Sequence, residues 1–207
     1  MSTLQLDRLA PAHVMPAHGE VLVLEDSVPL ALRREILGLV RRPIWAYGWK
    51  SVKDHDRYGF WHAHFAGGGE DDQLSCEPAL AANVQAQPIH RLWRLLASGI
   101  LEGHVPVRVY ANGHTYGVEG YIHTDSEEED AFTTIYYAHA AWDANWAGET
   151  VFFPQGSGAG KAVLPEPGRV IVFRGATPHV ARSASRECPE LRVSVVIKTR
   201  LARPGDQ

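Results

Sequence analysis

Three side chains able to bind a metal ion stand at two places in this chain of 207 residues. His123 and Asp125 are separated by one residue, and His179 follows far downstream. If residues 121–125 form a strand, His123 and Asp125 share one face, because side chains alternate along a strand. Two imidazoles and one carboxylate make a facial triad, the ligand set typical of non-haem Fe(II). The tripeptide alone is a weak signal, since a polar strand end has the same pattern.

Composition and charge narrow the class of protein. Lys and Arg total 20 against 24 Asp and Glu, so the net charge is −4, and no basic stripe indicates nucleic-acid binding. Met1 to Ala12 lacks a long apolar run, so we expect neither a signal peptide nor a membrane span. Cys76 and Cys188 are isolated, which favours two free thiols in a cytoplasmic protein over a disulfide. A reducing compartment also suits Fe(II).

The first half of the chain predicts one strand and two helices. Residues 21–25 form a short buried strand, followed by a helix with Asp26 or Ser27 as N-cap and Pro29 in its first turn. The apolar side of that helix consists of Leu30, Ile36, Leu37 and Val40. A second helix runs from Pro88 to about Leu101, where helical spacing is kept by Ile89, Leu92, Trp93, Leu96 and Ile100. Between them, residues 47–76 indicate an irregular region with one or two short strands, and long loops of this kind are often lids.

After Gly103, short segments rich in β-branched and aromatic residues alternate with Gly, Pro, Asn and Asp. The predicted strands are Val105–Tyr110, Ala131–Ala138, Glu149–Phe153, Arg169–Arg174 and Leu191–Thr199. Their spacing predicts an α+β, mainly β fold, a sandwich or jelly roll with supporting N-terminal helices on one outer face. We expect a single domain over 1–207, with 1–103 as helical support and lid region and 104–200 as the catalytic core.

Iron sites of this kind usually take 2-oxoglutarate as a cosubstrate, and Arg192 is a candidate cation for binding it. Its keto-acid end chelates iron, and its distal carboxylate needs a positive charge deep in the pocket. On the strand that begins near residue 191, Arg192 and Ser194 share one face, while the other face carries Leu191, Val193, Val195 and Ile197. A guanidinium can grip a carboxylate with two hydrogen bonds, and Ser194 can add a third. The alternative is an exposed arginine on an edge strand.

Residues 110–199 resemble the Fe(II)/2-oxoglutarate dioxygenases of the prolyl-hydroxylase type. The matching fragments, in the order that the family shows, are Tyr110-Ala-Asn-Gly, His123-Thr-Asp125, Thr133-Thr-Ile-Tyr-Tyr137, Trp142-Asp-Ala-Asn-Trp-Ala-Gly-Glu-Thr150, Phe152-Phe-Pro154, Pro167-Gly-Arg-Val-Ile-Val-Phe173, Pro178-His179 and Arg192. Each fragment is weak alone, and their ordered combination is specific. The resemblance implies a double-stranded β-helix (jelly roll) that uses Fe(II), 2-oxoglutarate and O2, with ascorbate as a candidate stimulant.

The resemblance also implies a role for each candidate site residue. His123, Asp125 and His179 would bind the iron and so form the catalytic centre. Arg192, with Ser194 beside it, would bind the distal carboxylate of 2-oxoglutarate. Two tyrosines complete the set: Tyr137 would donate its hydroxyl to the same carboxylate, and Tyr110 would lie near the C1 end of 2-oxoglutarate or near the substrate. Core packing is the alternative for both tyrosines.

The sequence departs from the family pattern at three places. Ala138-His139 stands where the family usually has Leu-Asn, and Ala147-Gly148 replaces the usual Gly-Gly. The segment between His179 and Arg192 is a few residues longer than usual, which puts the register of Arg192 in question. Rival cations for its role are Arg182, Arg186 and Lys198.

The implied reaction is hydroxylation of an unactivated C–H bond, in a prolyl residue of a protein or in a free amino acid or other small metabolite. The carboxylate of Asp125 favours hydroxylation over halogenation, since related halogenases lack it. The acidic run 126–130 is a solvated loop or a flap that attracts a cationic substrate. Trp61, His62 and His64 line the entrance or belong to a half-buried loop. The competing class is a cupin-like module that binds a metal or small ligand without oxidation. The sequence leaves the oligomeric state open.

Overall fold

A computed structural model describes residues 15–17, 19–68, 73–154 and 158–206. Two antiparallel sheets form the molecule, with strands numbered in chain order. The major sheet has seven strands in the order β1 (Val21–Leu24), β8 (Val170–Arg174), β5 (Ala131–Tyr137), β10 (Arg192–Leu201), β4 (His104–His114), β3 (Phe60–Gly67), β2 (Ala46–Trp49). The minor sheet has the order β7 (Lys161–Val163), β6 (Thr150–Phe152), β9 (His179–Ala181). This confirms the predicted mainly β jelly roll.

Three helices cover the outer face of the major sheet: α1 (Leu30–Val40), α2 (Glu77–Ala82) and α3 (Gln87–Ala97). The apolar face of α3 is buried as its spacing predicts, with Leu92 and Trp93 almost fully covered. They belong to one cluster with Val193, Val195 and Ile197 of β10. Because strand side chains alternate, the other face of β10 is left for the space between the two sheets.

The space between the sheets holds a second, smaller core. It is formed by Tyr110, Ile135, Tyr137, Phe152, Val163, Ile171, Phe173 and Val196. These aromatic and β-branched side chains come from both sheets and close one end of the jelly roll. The polar residues of the same strand faces therefore collect at the remaining, open part of the interior.

The beginning of α1 differs from the prediction. The helix starts at Leu30 with Pro29 at the N-cap position and no side-chain cap, so the expected cap by Asp26 or Ser27 is wrong. Asp26 instead has a left-handed backbone, with φ of 50°, and its carboxylate accepts a hydrogen bond from Arg33. Leu30 is 57% exposed, so it does not belong to the apolar side of the helix.

The N-terminal half contains the expected strand near residue 21 and two strands in the region from 46 to 67, of which β3 is longer than predicted. Strand β3 has eight residues and pairs with β4, but a register shift between His64 and Ala66 interrupts its alternation. Together β1, β2 and β3 supply three strands of the major sheet. Residue 103 is therefore not a boundary of the sheet, and the division into support and core stays a prediction, as does the lid.

Several smaller expectations have a direct outcome. The second predicted helix ends at Ala97, although Ile100 and Leu101 beyond it are buried. Cys76 and Cys188 are not joined in a disulfide. In the part of the chain that the structure describes, no helix is long and apolar enough to cross a membrane. The expectation for residues 1–12 lies outside the described residues.

Candidate metal centre and dicarboxylate pocket

The two histidines are brought together by a single backbone bridge. His179 opens β9, and its N–H donates to the carbonyl of His123 at 2.9 Å while the His123 N–H donates back at 3.0 Å. The N–H of Asp125 donates to the Gly175 carbonyl at 2.8 Å. Residues 121–125 are thus an irregular segment held against residues 175–179 rather than the regular strand considered above.

The ligand atoms of His123, Asp125 and His179 converge on one point. Nε2 of His123 lies 3.9 Å from one carboxylate oxygen of Asp125, and Nε2 of His179 lies 3.6 Å from the other. All three ligand atoms lie within 4.8 Å of one another. This distance lets one ion contact all three, and the donor set of two imidazoles and a carboxylate suits Fe(II).

Backbone carbonyls orient both imidazole rings. Nδ1 of His123 lies 2.9 Å from the carbonyl of Tyr121, and Nδ1 of His179 lies 2.9 Å from the carbonyl of Thr177. A carbonyl only accepts, so Nδ1 carries the proton in both rings and Nε2 keeps its lone pair for a metal. Burial lowers the pKa of His179, which favours the neutral, ligating form. The residues present therefore fit a divalent metal.

Asp125 is held as a carboxylate by its neighbours. Nζ of Lys198 lies 2.9 Å from Oδ1, and the Thr133 hydroxyl donates to Oδ2 at 2.6 Å. Burial raises the pKa of Asp125, but Lys198, the two histidines and the Thr133 hydrogen bond outweigh burial and hold that pKa well below its ordinary value. Lys198, a rival cation in the sequence, thus contacts the metal ligand rather than a site for the distal carboxylate.

Arg192 is a buried cation with an unused donor. Its side chain is among the largest that are fully buried, with 1% of the residue exposed. Nε donates to the Gly148 carbonyl at 2.5 Å, and Nη2 donates to the Thr150 hydroxyl at 2.8 Å. Nη1 is buried and has no hydrogen-bond partner among the described residues. Within the described ranges no carboxylate forms an ion pair with Arg192, and the charge of Glu149 acts on it only from a longer distance. Nη1 is therefore open to the acceptor of an anionic ligand.

Tyr137 contacts Arg192 directly through its ring and indirectly through Thr150. The guanidinium lies over the Tyr137 ring, with Cζ 5.4 Å from the ring centroid. The Tyr137 hydroxyl lies 2.6 Å from Oγ1 of Thr150, which also accepts from Arg192. Burial raises the pKa of Tyr137, so its hydroxyl stays protonated. Tyr137, Thr150 and Arg192 form one connected polar group.

One cavity joins the metal ligands to Arg192. The space inside it and at its open mouth together amounts to about 530 Å³. Its lining includes both histidines, Asp125, Thr133, Thr150, Arg192, Ser194, Tyr110, Asn112 and His114. Ser194 and Tyr110 therefore line the cavity as predicted, and Tyr137 lies behind Thr150.

The rival arginines lie at the surface. Arg182 forms an exposed ion pair with Glu119 at 3.3 Å, and Arg186 contacts the ring and hydroxyl of Tyr116. Neither lines the cavity that contains Arg192. The segment between His179 and Arg192 contains this surface loop, and Arg192 begins β10 opposite His114 of β4.

The sequence singled out His62 and His64, which do not line the cavity. His62 is buried, with Nδ1 2.9 Å from the side-chain oxygen of Asn112 and its ring stacked on Trp49 at 4.2 Å. Throughout the described part of the chain, the triad is the one group of three ligands close enough to share a metal. Trp61 is 37% exposed and packs against Tyr47.

The polar lining residues that were not assigned a role in the sequence include Thr133, Thr150, Asn112 and His114. Alternation along β4 could have found two of them, since Asn112 and His114 share a face with Tyr110. Thr150 lies in the minor sheet, and its approach to Arg192 depends on how the two sheets face each other. No local pattern carries that information.

Ala147 has an unusual backbone conformation next to Gly148, whose carbonyl contacts Arg192. Its φ of 56° and ψ of −137° lie in a region that favours glycine. Its carbonyl accepts from Trp142 Nε1 at 3.0 Å, and the next carbonyl, that of Gly148, accepts from Arg192. A Cβ on Gly148 would lie 3.2 Å from Cδ of Arg192, so this turn and the arginine are closely packed.

Ala147→Gly is expected to stabilise the protein by about 1 kcal/mol, because relief of strain outweighs the added entropy of glycine in the unfolded chain. Urea unfolding of both proteins measures this difference. Ala202→Gly, at an exposed position without positive φ, is the control and should not stabilise. A loss of stability for Ala147→Gly would show that Ala147 is not strained.

His139 gives a testable pH dependence of stability. Burial and then the charge of Arg192 lower its pKa to about 3 from an ordinary value near 6.5. Between these values the unfolded chain binds a proton that the folded chain does not, so stability is present above pH 6.5 and lost as pH falls. Burial lowers the pKa of His114 in the same way.

His139→Asn is therefore expected to reduce the loss of unfolding free energy between pH 7 and pH 5 by about 2 kcal/mol. Urea unfolding at the two pH values measures the change. His55→Asn, an exposed site on the loop between β2 and β3, serves as control. If both variants showed the same loss as the unsubstituted protein, His139 would not be kept neutral by the fold.

The jelly roll is a fold that this chain shares with solved structures of 2-oxoglutarate-Fe(II) oxygenases. No protein-family model matches the sequence, and no curated protein matches it. Solved structures do match. A prolyl-4-hydroxylase from Pseudomonas putida is 19% identical, with a TM-score of 0.59 over 90% of this chain and 94% of that one.

Two further structures show the same likeness. An oxidoreductase of the 2OG-Fe(II) oxygenase family from Burkholderia pseudomallei is 18% identical, with a TM-score of 0.68 over 87% of this chain and 84% of that one. A prolyl hydroxylase from Trichoplax adhaerens, in complex with a peptide fragment of the oxygen degradation domain of hypoxia inducible factor, is 14% identical, with a TM-score of 0.60 over 87% of this chain and 83% of that one. The resemblance seen in the sequence is confirmed at the level of fold.

Proposed function

We propose that the chain is an Fe(II)- and 2-oxoglutarate-dependent dioxygenase that hydroxylates an unactivated C–H bond. The observation that carries this proposal is Arg192, which is buried in the cavity that also contains the triad and whose Nη1 has no hydrogen-bond partner among the described residues. A buried cation with an unpaired N–H is costly unless a ligand supplies the missing acceptor. A dicarboxylate can supply this acceptor with one carboxylate while its other end reaches the metal.

Each residue of the site has a defined task in this proposal. His123, Asp125 and His179 would hold Fe(II) on one face, leaving positions for cosubstrate and O2. Bound there, the iron supplies the redox chemistry that couples oxidative decarboxylation of 2-oxoglutarate to hydroxylation. Arg192 binds the distal carboxylate with Nη1, and the buried walls exclude water. Asp125 occupies the position that a halide would need, which supports hydroxylation over halogenation.

The proposal is tested by incubating the protein with Fe(II), 2-oxoglutarate and ascorbate and measuring succinate and CO2. We expect slow turnover without a primary substrate and anaerobic binding of 2-oxoglutarate to the metal-loaded protein. A cupin-like module would bind metal and show neither result. Arg192 and Tyr137 support the oxygenase, because a simple metal-binding barrel has no need for a carboxylate clamp.

For the primary substrate we propose a prolyl residue of a protein or a free amino acid or small metabolite. The peptide bound to the Trichoplax adhaerens neighbour supports the first class. Arg108, which lies opposite Lys198 across β4 and β10, supports an anionic group on either. Arg108 lies over the rings of Trp49 and Tyr110, at 5.0 Å from each, and forms no ion pair within the described ranges. This favours an anionic substrate over the cationic one that the acidic run 126–130 suggested.

The substrate screen should pair each carboxylate with its amide. Free amino acids, acidic peptides containing proline and their amidated counterparts are incubated with the complete system, and products 16 mass units heavier are sought. We expect the carboxylates to be hydroxylated and the amides to react less. A preference for amides or amines would contradict an anionic substrate. We also propose a cytoplasmic location, where a reducing medium keeps iron as Fe(II) and keeps Cys76 and Cys188 out of disulfides.

A further inference from the structure

Asp56 is a buried carboxylate in the loop between β2 and β3. Only 3% of it is exposed, and no lysine, arginine or histidine of the described ranges forms an ion pair with it. Three backbone N–H groups satisfy it instead. Oδ2 accepts from Ser51 at 2.7 Å and from Val52 at 3.0 Å, and Oδ1 accepts from Tyr121 at 2.9 Å. Oδ2 thus binds within the loop that contains Asp56, whereas Oδ1 binds a segment distant in sequence.

The distant segment leads directly into the metal centre. Tyr121 donates its N–H to Asp56, and on the other side of its Cα its carbonyl accepts from Nδ1 of His123 at 2.9 Å. Asp56 therefore holds the residue whose carbonyl orients one imidazole of the triad. Gly120 packs against the same carboxylate, since a Cβ there would lie 3.3 Å from Oδ1.

The loop of Asp56 also forms part of the cavity wall. Ser51, whose N–H it binds, and Gly120, which it contacts, both line the cavity. The ring of His55 lies 5.3 Å from that of Tyr121, which adds a second contact between the two segments. A displacement of this loop would therefore reach both the metal ligand and the wall beside it.

We propose that Asp56 is a positioning residue that couples the loop 51–58 to His123, so that closing of this loop against residues 120–121 completes the metal centre. The inference rests on the proposed function, because it concerns metal binding by the triad. Charge-assisted hydrogen bonds to backbone N–H groups are strong, and an isosteric amide cannot replace them. In Asp56→Asn one position becomes an NH2 group, which faces an N–H donor and must release either the loop or Tyr121.

The test compares Asp56→Asn with Asp54→Asn, the same change of charge at an exposed position in the same loop. Mn(II) affinity is measured from the EPR signal of the free ion, and exchange of the Tyr121 amide proton is measured by NMR on the metal-free proteins. For Asp56→Asn we expect affinity to fall about tenfold, the lower end for a residue that supports a ligand, and the Tyr121 amide to exchange faster. Asp54→Asn should behave like the unsubstituted protein.

The outcomes separate this inference from the proposed function. If the unsubstituted protein bound no Mn(II), the metal centre itself would be rejected. If it bound Mn(II) and Asp56→Asn bound equally well while losing thermal stability, Asp56 would be purely structural and the inference overturned. Asp56→Ser, whose hydroxyl is too short to reach both segments, is the second variant should Asp56→Asn not fold, and the same loss of affinity is expected.

Discussion

Replacing His179 with alanine is expected to abolish tight binding of a divalent metal and, with it, turnover of 2-oxoglutarate. Nε2 of His179 lies 3.6 Å from the Asp125 carboxylate, and its Nδ1 is bonded to the Thr177 carbonyl, so Nε2 is the atom that it offers to a metal. Changes in residues that merely support a ligand cost ten- to a hundredfold in metal affinity. Loss of a ligand should therefore weaken Mn(II) binding by more than about a hundredfold.

The variant needs a control, because His179 is also part of the core. Its ring packs edge-on against Phe173 at 4.7 Å, and removing it leaves a hole that costs about 2–3 kcal/mol of stability. His104 is buried to a similar extent and packs edge-on against Phe132 at 5.3 Å, outside the cavity. His104→Ala should lose stability and keep Mn(II) affinity, whereas His179→Ala should lose both.

Two measurements decide between these outcomes. The first is Mn(II) affinity, and the second is the rise in melting temperature when Mn(II) is added, since a ligand of the folded state stabilises it. We expect this rise for the unsubstituted protein and for His104→Ala, and none for His179→Ala. Retention of tight Mn(II) binding by His179→Ala would remove His179 from the metal centre.

The candidate metal ligands could be predicted because their residue types are visible in the sequence. Their convergence in space could not be predicted. His123, Asp125 and His179 stand out as a ligand set in an ordered series of fragments. The bridge between His123 and His179 and the three-residue strand β9 are too short to leave a periodic signal. What joins the ligands is backbone pairing between segments far apart in sequence, and side-chain patterns do not encode such pairing.

Strand β10 shows how far alternation reaches. It is long and lies in the middle of the major sheet, so period two placed Arg192 and Ser194 on the inner face and Val193, Val195 and Ile197 on the outer one. The same period puts Lys198 on the inner face as well. Which cation meets which anion depends on register: Lys198 lies opposite Thr133 of β5, and both contact Asp125. That register, set by the whole sheet, lay beyond sequence reasoning.

Asp56 and Ala147 were missed for a different reason. Both act through backbone groups: Asp56 accepts three N–H bonds, and Ala147 aims two successive carbonyls through a strained turn. An aspartate in a loop and an alanine in a turn carry no distinctive signal. The departure from Gly-Gly at 147–148 was visible in the sequence, and the positive φ of Ala147 now gives it a physical meaning.

Arg192→Met is expected to abolish binding of 2-oxoglutarate while leaving metal binding nearly intact. The loss of a buried pair between a guanidinium and a carboxylate costs about 2–5 kcal/mol, so the Kd for 2-oxoglutarate should rise at least about thirtyfold. Arg192 contacts Gly148 and Thr150 and none of the three metal ligands. Mn(II) affinity should therefore change by less than about threefold.

The stability of the unliganded variant provides a second, independent result. Methionine fills much of the space of arginine and removes a buried charge that has no counter-anion among the described residues, which stabilises. It also leaves the Gly148 carbonyl and the Thr150 hydroxyl without Arg192, at about 1 kcal/mol each. The two effects oppose each other, so the melting temperature without ligand should change little, while the rise on adding 2-oxoglutarate should disappear.

Calorimetric titration of the Mn(II)-loaded protein with 2-oxoglutarate checks the prediction, with Arg182→Met as the matched control at the surface. Arg192→Lys should give an intermediate Kd, because lysine keeps the charge and loses the fork that binds both carboxylate oxygens. Equal losses of Mn(II) and 2-oxoglutarate would mean that Arg192 supports the whole cavity rather than one carboxylate. A loss in Arg182→Met with none in Arg192→Met would transfer the role to the surface loop and leave the buried guanidinium without a ligand to explain it.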